Sequence, residues 1–512
     1  MYGARSSGRY VIRRGKEYRM LEIVVFCCGA AVMVLEIVGA RILAPFLGTS
    51  IVVWTGLIGV ILASLAVGYW QGGRLADRRP TARTLSGIIA LSAVLVAATA
   101  ATRLPLLDFL ATQASGPRLA VIAATLLLFA PSAALLGMVA PFAVRLSLRD
   151  TATSGSTAGR LYALSTCGSI VGTFAAGFFL VATLGSTAIL IVVAVFLLAL
   201  ALLASRADGK AKAAAGLVIA LCGLGLAANG RSLAAAGVRD VDTAYGRVLV
   251  YDGLHPESGR PIRVMTTGPA RYQSAMYLDA PDALALPYVR FFDLARTLVP
   301  DARRVLVLGG GGYSFPRRIL ATRPGTEVTV VELDPGITVL ARRYFGLADT
   351  PGLSIVHEDA RTFINREMGL YDLIYLDAFG TDYAPPFHLV TREAAARLAA
   401  LLAPGGAVVV NSIAAPAREN GRFPRSLAAT LATVFADVAL YPLAGEGHES
   451  EDQNVMLVAR DASWPPAVPA DAEARSFLAA RLEHPAGEDG MVLTDDFAPV
   501  EWMCLGSWRE PS

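Results

Sequence analysis

Four consecutive glycines and a series of spaced carboxylates are the residues of this 512-residue chain best suited to chemistry. Gly309-Gly310-Gly311-Gly312-Tyr313-Ser314 follows a short apolar run at 304–308. Glycine lets the backbone turn at positive φ and approach a ligand closely, which a strand-to-helix turn over a bound molecule requires. The run lacks the lysine of GxxxxGK[ST] and the spacing of GxGxxG, so neither phosphate-binding signature is present. About 20 residues further on, a second apolar run ends in Glu332-Leu333-Asp334-Pro335, where a carboxylate can accept hydrogen bonds from ribose hydroxyls. A third ends in Glu358-Asp359-Ala360-Arg361 and a fourth in Tyr375-Leu376-Asp377. A glycine turn and acids at four successive strand ends point to a nucleoside-type ligand rather than to solvated loop acids.

Other chemistries lack their residues. The five histidines are scattered, and no HxxxH or CxxC pair offers metal-ligand spacing, so no metal is expected. No GxSxG elbow supports a hydrolase triad. Arg317-Arg318 and Arg342-Arg343 suit exposed helix faces, and an acidic domain is a poor nucleic-acid partner.

The elements that must position these residues begin near residue 238. Runs at 248–251 and 262–266 have the pattern of a small hairpin sheet. Runs at 304–308, 328–331, 353–357, 373–376 and 407–410 alternate with helical stretches, which implies a mostly parallel sheet covered on both faces. Ligands in such sheets sit beyond the carboxyl ends of the strands, where the glycines and acids stand.

The first half differs in kind. Hydrophobic residues make up 54% of the chain and charged residues 17%, against about 25% charged in soluble proteins. The net charge of +3 conceals a division: residues 1–237 hold 20 Lys and Arg against 7 Asp and Glu, residues 238–512 hold 25 against 35. Apolar segments at 23–40, 51–69, 85–101, 119–144, 161–184, 186–204 and 213–228 approach the roughly 20 residues that a bilayer crossing needs. The last is short, and Pro131 and Pro141 interrupt the fourth. Arg and Lys cluster in the N-terminal tail and in the loops after the second, fourth and sixth spans, which places those on the cytoplasmic side. Glu36 and Arg41 lie in or beside the first span, where they either pair and snorkel locally or line a substrate path. The turn Gly72-Gly73-Arg74-Leu75-Ala76-Asp77-Arg78 resembles the loop between the second and third helices of major facilitator transporters, though a helix-end cap and orientation signal explains it as well.

From about 242 to 460 the chain resembles spermidine synthase, the aminopropyltransferase branch of the S-adenosylmethionine-type Rossmann methyltransferase fold. The resemblance rests on Tyr245-Gly246-Arg247-Val248, Gln273-Ser274-Ala275-Met276-Tyr277-Leu278-Asp279, the glycine turn, Val331-Glu332-Leu333-Asp334-Pro335, Asp359-Ala360, Tyr371-Asp372-Leu373-Ile374-Tyr375-Leu376-Asp377 and Leu402-Ala403-Pro404-Gly405-Gly406. The apolar half, with Leu43-Ala44-Pro45-Phe46-Leu47-Gly48-Thr49, and the segment Leu493-Thr494-Asp495-Asp496-Phe497 are similar to membrane-fused bacterial spermidine synthase-like proteins. The resemblance implies a polytopic α-helical membrane domain fused to an α/β Rossmann-like methyltransferase-type domain with a small N-terminal β-sheet. The boundaries are a basic tail at 1–22, a membrane domain of about seven helices at 23–230, a small β-subdomain at 238–285 and the nucleoside-cofactor domain at 286–512.

Carried over residue by residue, the resemblance makes Gln273, Gly309, Gly310 and Gly311 contacts of the cofactor, Glu332 the ribose ligand and Asp359 the partner of the adenine amino group. Asp377 becomes the acid that orients and deprotonates an attacking amine. The co-substrate is S-adenosylmethionine or its decarboxylated form, and the acceptor is a cationic small molecule such as a polyamine. The other implied partners are the lipid bilayer and, left open, a second copy of the chain; nucleic acid is not one.

Three departures stand out. Gly312 replaces the aspartate that holds the aminopropyl amine, Gly380 replaces the second catalytic-loop acid with Asp382 two residues beyond, and Tyr288-Val289 replaces a Tyr-His pair. Tyr288, Asp382 and Asp496 are therefore acceptor-side candidates, with Glu449, Glu451, Asp452 and Asp495 as further substitutes. Asp495-Asp496 suits a cap equally, and the other three suit a solvated loop. The expected activity is aminopropyl transfer. Its alternatives are chemistry on intact S-adenosylmethionine, either an intramolecular reaction releasing methylthioadenosine or methyl transfer, and a non-catalytic sensor or regulated transporter. The chain is expected in the bacterial inner membrane as a multi-pass protein. Seven crossings would leave the acidic half outside, whereas a cytoplasmic co-substrate favours a cytoplasmic domain, with 213–228 re-entrant or interfacial or 104–112 part of an extra crossing; the alternative is that the membrane half presents the co-substrate to a domain across the bilayer.

Overall fold

A computed structural model describes residues 4–504 except 48–50, 114–116, 149, 151–152, 206–208, 269–271, 379–384, 446, 462–471 and 483–489. The chain divides into two compact units, Met1–Ala236 with Asp240–Arg247, and Gly237–Arg239 with Val248–Ser512.

The first unit is helical: α1 (Ala4–Leu47), α2 (Ile51–Arg78), α3 (Ala82–Gln113), α4 (Pro117–Leu128), α5 (Ala130–Gly137), α6 (Val139–Ser147), α7 (Ser154–Ala175), α8 (Val181–Thr183), α9 (Ser186–Ala204) and α10 (Gly209–Ala235). Among the described residues, seven helical stretches are long and apolar enough to cross a membrane. The segment at 119–144 is not one helix but α4, α5 and α6. Pro131 lies in the first turn of α5, where a missing N–H costs nothing, and it ends the helix before it. The stretch at 104–112 belongs to α3 rather than to an additional crossing. The last segment is longer than its apolar run: α10 has 27 residues, a rise of roughly 40 Å at 1.5 Å per residue. Lys212 breaks the run but not the helix, because its ammonium reaches the Ser205 carbonyl.

Small residues let α1 and α7 approach. A Cβ on Gly168 would collide with the Phe26 carbonyl and one on Gly172 with that of Ala30, and the Ser169 hydroxyl donates to the Gly29 carbonyl at 3.2 Å. Packing of this kind is what holds helices together where apolar burial offers no advantage over lipid. Polar contacts then mark the two ends of the bundle. At one end Arg160 pairs with Glu22 at 2.7 Å and Arg145 with Asp77 at 3.3 Å. At the other, Arg41 donates to the carbonyls of Val181, at 2.6 Å, and Thr243, while Arg103 donates to the Ala100 carbonyl and the Thr187 hydroxyl at 2.9 and 2.5 Å. Thr243 follows α10, so α10 carries the chain from the first end to the second.

The second unit contains a small sheet and a large one. After a short strand at the junction, β1 (Arg239–Asp242), come β2 (Arg247–Leu254), β3 (Pro261–Thr266) and β4 (Ser274–Tyr277). The last three pair antiparallel, Tyr251 opposite Val264 and Val264 opposite Ala275. Val248, Val250, Ile262 and Val264 are buried at every second position, the alternation expected of a half-buried sheet. The large sheet is formed by β5 (Arg304–Leu308), β6 (Glu327–Glu332), β7 (Leu353–His357), β8 (Tyr371–Leu376), β9 (Leu402–Ala414), β10 (Asp437–Pro442) and β11 (Gln453–Arg460). Their order is β10-β11-β9-β8-β5-β6-β7. The five from β5 to β9 run parallel, while β11 is antiparallel to both β9 and β10. Intervening helices include α11 (Pro287–Ala295), α12 (Ser314–Thr322), α13 (Pro335–Tyr344), α14 (Ala360–Arg366), α15 (Arg392–Ala400) and α16 (Arg422–Leu431). The order reverses between β5 and β8, and the crevice outside such a switch point is where open α/β sheets bind ligands.

Candidate active site

β5 and β8 deliver the glycine turn and Asp377 side by side at that crevice. Gly309 has φ 107°, and a Cβ there would collide with the Asp377 carbonyl, so only glycine fits. The turn is clamped from β6. The Glu332 carboxylate accepts from the amides of Gly310 and Gly311 at 2.8 and 3.3 Å and, through its other oxygen, from that of Asp334 at 2.9 Å. Burial raises its pKa, and these backbone donors draw it back. Three of roughly four lone-pair positions are thus occupied, which leaves room for one hydroxyl donor.

Tyr313 is the sole non-glycine residue with positive φ among those described, at 56°. A tyrosine tolerates this costly geometry only where its surroundings hold it. Its ring is fully buried beneath Gly310, and its hydroxyl lies 2.7 Å from that of Thr338, which lies 2.9 Å from Nε2 of His357.

Asp377 ends β8 with its carboxylate between two neutral donors. Asn411, on β9, donates to it at 2.8 Å, and the Tyr288 hydroxyl of α11 reaches it from the other side. That hydroxyl also lies 3.2 Å from the Gln273 carbonyl, so its single proton is shared between carboxylate and carbonyl and three expected site residues meet. Burial pushes the Asp377 carboxyl up to about 7, against the pull of Asn411 and Tyr288. Burial and the nearby carboxylate push the Tyr288 hydroxyl well above the usual tyrosine range. Among the described residues no cationic side chain pairs with Asp377.

The remaining candidates have local duties. Asp359 caps α14 by accepting from the Thr362 amide at 3.0 Å, and its other oxygen lies 3.4 Å from Nε2 of His388. Asp495 accepts both arms of the Arg361 guanidinium, at 3.0 and 2.7 Å, and the Thr391 hydroxyl at 2.7 Å; the guanidinium holds its carboxyl low. Asp496 is exposed, and no described hydrogen bond links it to Asp377. Glu449 accepts from the Gly447 amide, Glu451 pairs with His448, and Asp452 accepts from Asn420, as a self-contained loop would have them. Asp382 and Gly380 lie outside the described residues. No group of three metal-binding side chains occurs among the described residues.

The missing acid at 312 has a structural counterpart. The Gly312 amide donates to the Ser274 hydroxyl at 2.8 Å, and a Cβ on Gly312 would stand 3.0 Å from Cβ of Ser274 and 3.2 Å from the Phe345 ring. Asn411 and Asn454 are not among the residues that the sequence singles out, and Ser274 stands there only inside a motif, without a role of its own. The available signal was a polar pair, Asn411-Ser412, interrupting an otherwise apolar strand.

No family model matches the chain. It is 35% identical over 147 residues to a polyamine aminopropyltransferase of Vibrio vulnificus, an alignment covering 28% of this chain and 48% of that one. It is 25% identical over 433 residues to polyamine aminopropyltransferase 1 of Streptomyces coelicolor, covering 78% of this chain and 76% of that one. The chain spans about half or less of the length of the first of these curated relatives. Among solved structures, a probable spermidine synthase from Corynebacterium glutamicum aligns with TM-score 0.43 and 21% identity, over 52% of this chain and 98% of its own. Homologues named polyamine aminopropyltransferase thus stand where the motifs pointed, and the Streptomyces alignment is longer than either half of this chain.

Proposed function

We propose that the chain is an integral membrane aminopropyltransferase that transfers the aminopropyl group of decarboxylated S-adenosylmethionine to a polyamine and releases methylthioadenosine. One observation carries this: a half-buried carboxylate, Asp377, with neutral donors on two sides and no cationic side chain beside it among the described residues. Burying a charge is costly unless it is answered, and a sulfonium or an ammonium would answer it. In the reaction, the lone pair of the acceptor amine attacks the propyl carbon bonded to sulfur. The carbon–sulfur bond breaks with its electrons going to sulfur, and Asp377 takes the proton lost by nitrogen. Gln273, Gly309, Gly310, Gly311, Glu332 and Asp359 would hold the nucleoside portion, with Tyr288, Asp382 and Asp496 on the acceptor side.

A second reading has one observation in its favour. Gly312 offers no acid for the amine of a decarboxylated co-substrate, and Ser274 and Phe345 fill the adjacent space. The intact form, which carries a carboxylate, would be better tolerated there. Incubating the full-length protein with each form, with and without polyamines, and following methylthioadenosine decides the matter. Release that requires both the decarboxylated form and an acceptor supports transfer. Release from intact S-adenosylmethionine without acceptor overturns it.

We further propose that the chain past Thr243 lies on the extracytoplasmic side; the cytoplasmic placement expected from the origin of the co-substrate is the competing reading. The assignment is supported by Thr243 meeting Arg41 at the end of the bundle opposite the basic N-terminal tail. A reporter fused after Ser512 that is active only in the cytoplasm would refute it.

A further inference from the structure

Asn411 is 2% exposed, so its amide cannot turn to water when it is not bonded to protein. Its Nδ2 donates to Asp377, and its Oδ1 accepts from Nδ2 of Asn454 at 2.9 Å. The two asparagines are diagonal neighbours on antiparallel strands: Asn411 is paired with Met456, Asn454 with Ile413. An amide has one donating and one accepting end, so two linked amides have a direction. While Asn454 donates, the oxygen of Asn411 is engaged and its NH2 must face Asp377.

We propose that Asn454 and Asn411 form a directional amide relay that orients the Asp377 carboxylate and favours its charged form. Both are positioning residues, and their catalytic consequence rests on Asp377 acting as the base of the proposed reaction. The surroundings make the relay the main adjustable influence. From β5 the carboxylate's residue meets backbone only, its amide donating to the Leu308 carbonyl at 2.9 Å. From α11 it meets Tyr288, the one titratable side chain facing it among the described residues, and the residue before β4, Gln273, contributes the carbonyl beside the Tyr288 hydroxyl. No Lys, Arg, His, Asp or Glu among the described residues acts on its titration.

The relay makes an asymmetric demand on position 454. Asn454→Asp keeps the shape but removes the donor. The NH2 of Asn411 should then swing toward the new carboxylate and turn Oδ1 against Asp377. Asn454→Gln keeps a donor and should preserve the direction.

The test is an infrared carboxyl-stretch titration of the full-length protein, assigned by subtracting Asp377→Asn, which reads the proton on Asp377 without turnover. Asn411→Leu and Asn454→Asp should each raise the midpoint by about one pH unit, a tenfold gain in proton affinity, while Asn454→Gln stays within about threefold of the parent. The acid limb of the kcat/KM profile should move by the same amount. An unchanged midpoint in Asn454→Asp overturns the relay, and that variant gives the answer even if Asn411→Leu fails to fold. A shifted midpoint in a protein that turns over neither co-substrate form would uphold the relay and sink the transferase reading instead.

Discussion

Arg41 and Asp377 are both charged groups held largely away from water, and they are treated in opposite ways. In the helical unit the guanidinium donates to two backbone carbonyls and also acts on Asp242. In the second unit Asp377 accepts from an amide and a phenol, and among the described residues no charge answers its own. A fold that needs a buried charge for structure supplies its partners, because leaving one unanswered costs several kcal/mol. Where partners of opposite sign are withheld, a ligand is the candidate partner, as proposed for Asp377. The same contrast divides the acids of the second unit. Asp495 is satisfied by Arg361 and Thr391, and Asp359 serves a helix end, whereas Asp377 waits.

Asp377→Asn breaks the comparison most severely. Methylthioadenosine release should fall at least about 1000-fold, with co-substrate binding, followed by titration calorimetry, largely kept. Stability should move the other way. A carboxyl raised to about 7 in the folded state binds protons more tightly there than when unfolded, near 3.9. Its contribution is full below about pH 4 and is lost as pH rises through 7. The variant should therefore be more stable than the parent at pH 8, by about 1–2 kcal/mol, and a pH series of thermal melts reads this directly. In the parent, kcat/KM should decline below about pH 7 as the base is protonated.

Glu332→Gln comes next. The amide oxygen can still accept two hydrogen bonds, but its NH2 would face a backbone donor on the other side, loosening the glycine turn. Co-substrate affinity should drop about tenfold, corresponding to about 1.4 kcal/mol, with the acid limb of the pH profile unmoved. A shifted limb would mean that the clamp and the base are one system.

Arg41→Met tests the other side of the contrast. The Val181 and Thr243 carbonyls lose a donor and Asp242 loses its neighbour, so the melting temperature in detergent should fall by the equivalent of about 1–3 kcal/mol. Turnover per folded molecule should be kept; a loss of turnover with intact stability would place Arg41 among functional charges. The smallest effect is expected from Asp495→Asn, which weakens a partly exposed fork and should cost no more than about 1 kcal/mol.

Much of this was legible before the fold. The parallel strands appeared as β-branched runs because a sheet covered on both faces needs them. The glycine turn, Glu332 and Asp377 were identifiable because close approach and charge demand particular residue types. The fourth span was harder, since the effect of Pro131 depends on where a new helix can start. The length of α10 was obscured because a buried lysine looks like an end until its carbonyl partner is known. Asp495 and Asp496 were indistinguishable in sequence; only the guanidinium of Arg361, far away in the chain, separates them.

The sequence alone determined what is local: which segments can enter a bilayer, which strands can be buried, and which acids stand at strand ends. These follow from side-chain chemistry and from the periods of helix and strand. Tertiary structure decided what depends on neighbours distant in sequence. It set Gly309 against the Asp377 backbone, crowded Gly312 with Ser274 and Phe345, and lined Asn454, Asn411 and Asp377 into one hydrogen-bonded chain. Proton affinity belongs to that second kind, because burial and hydrogen bonding from other strands set it, and an aspartate in a sequence carries neither.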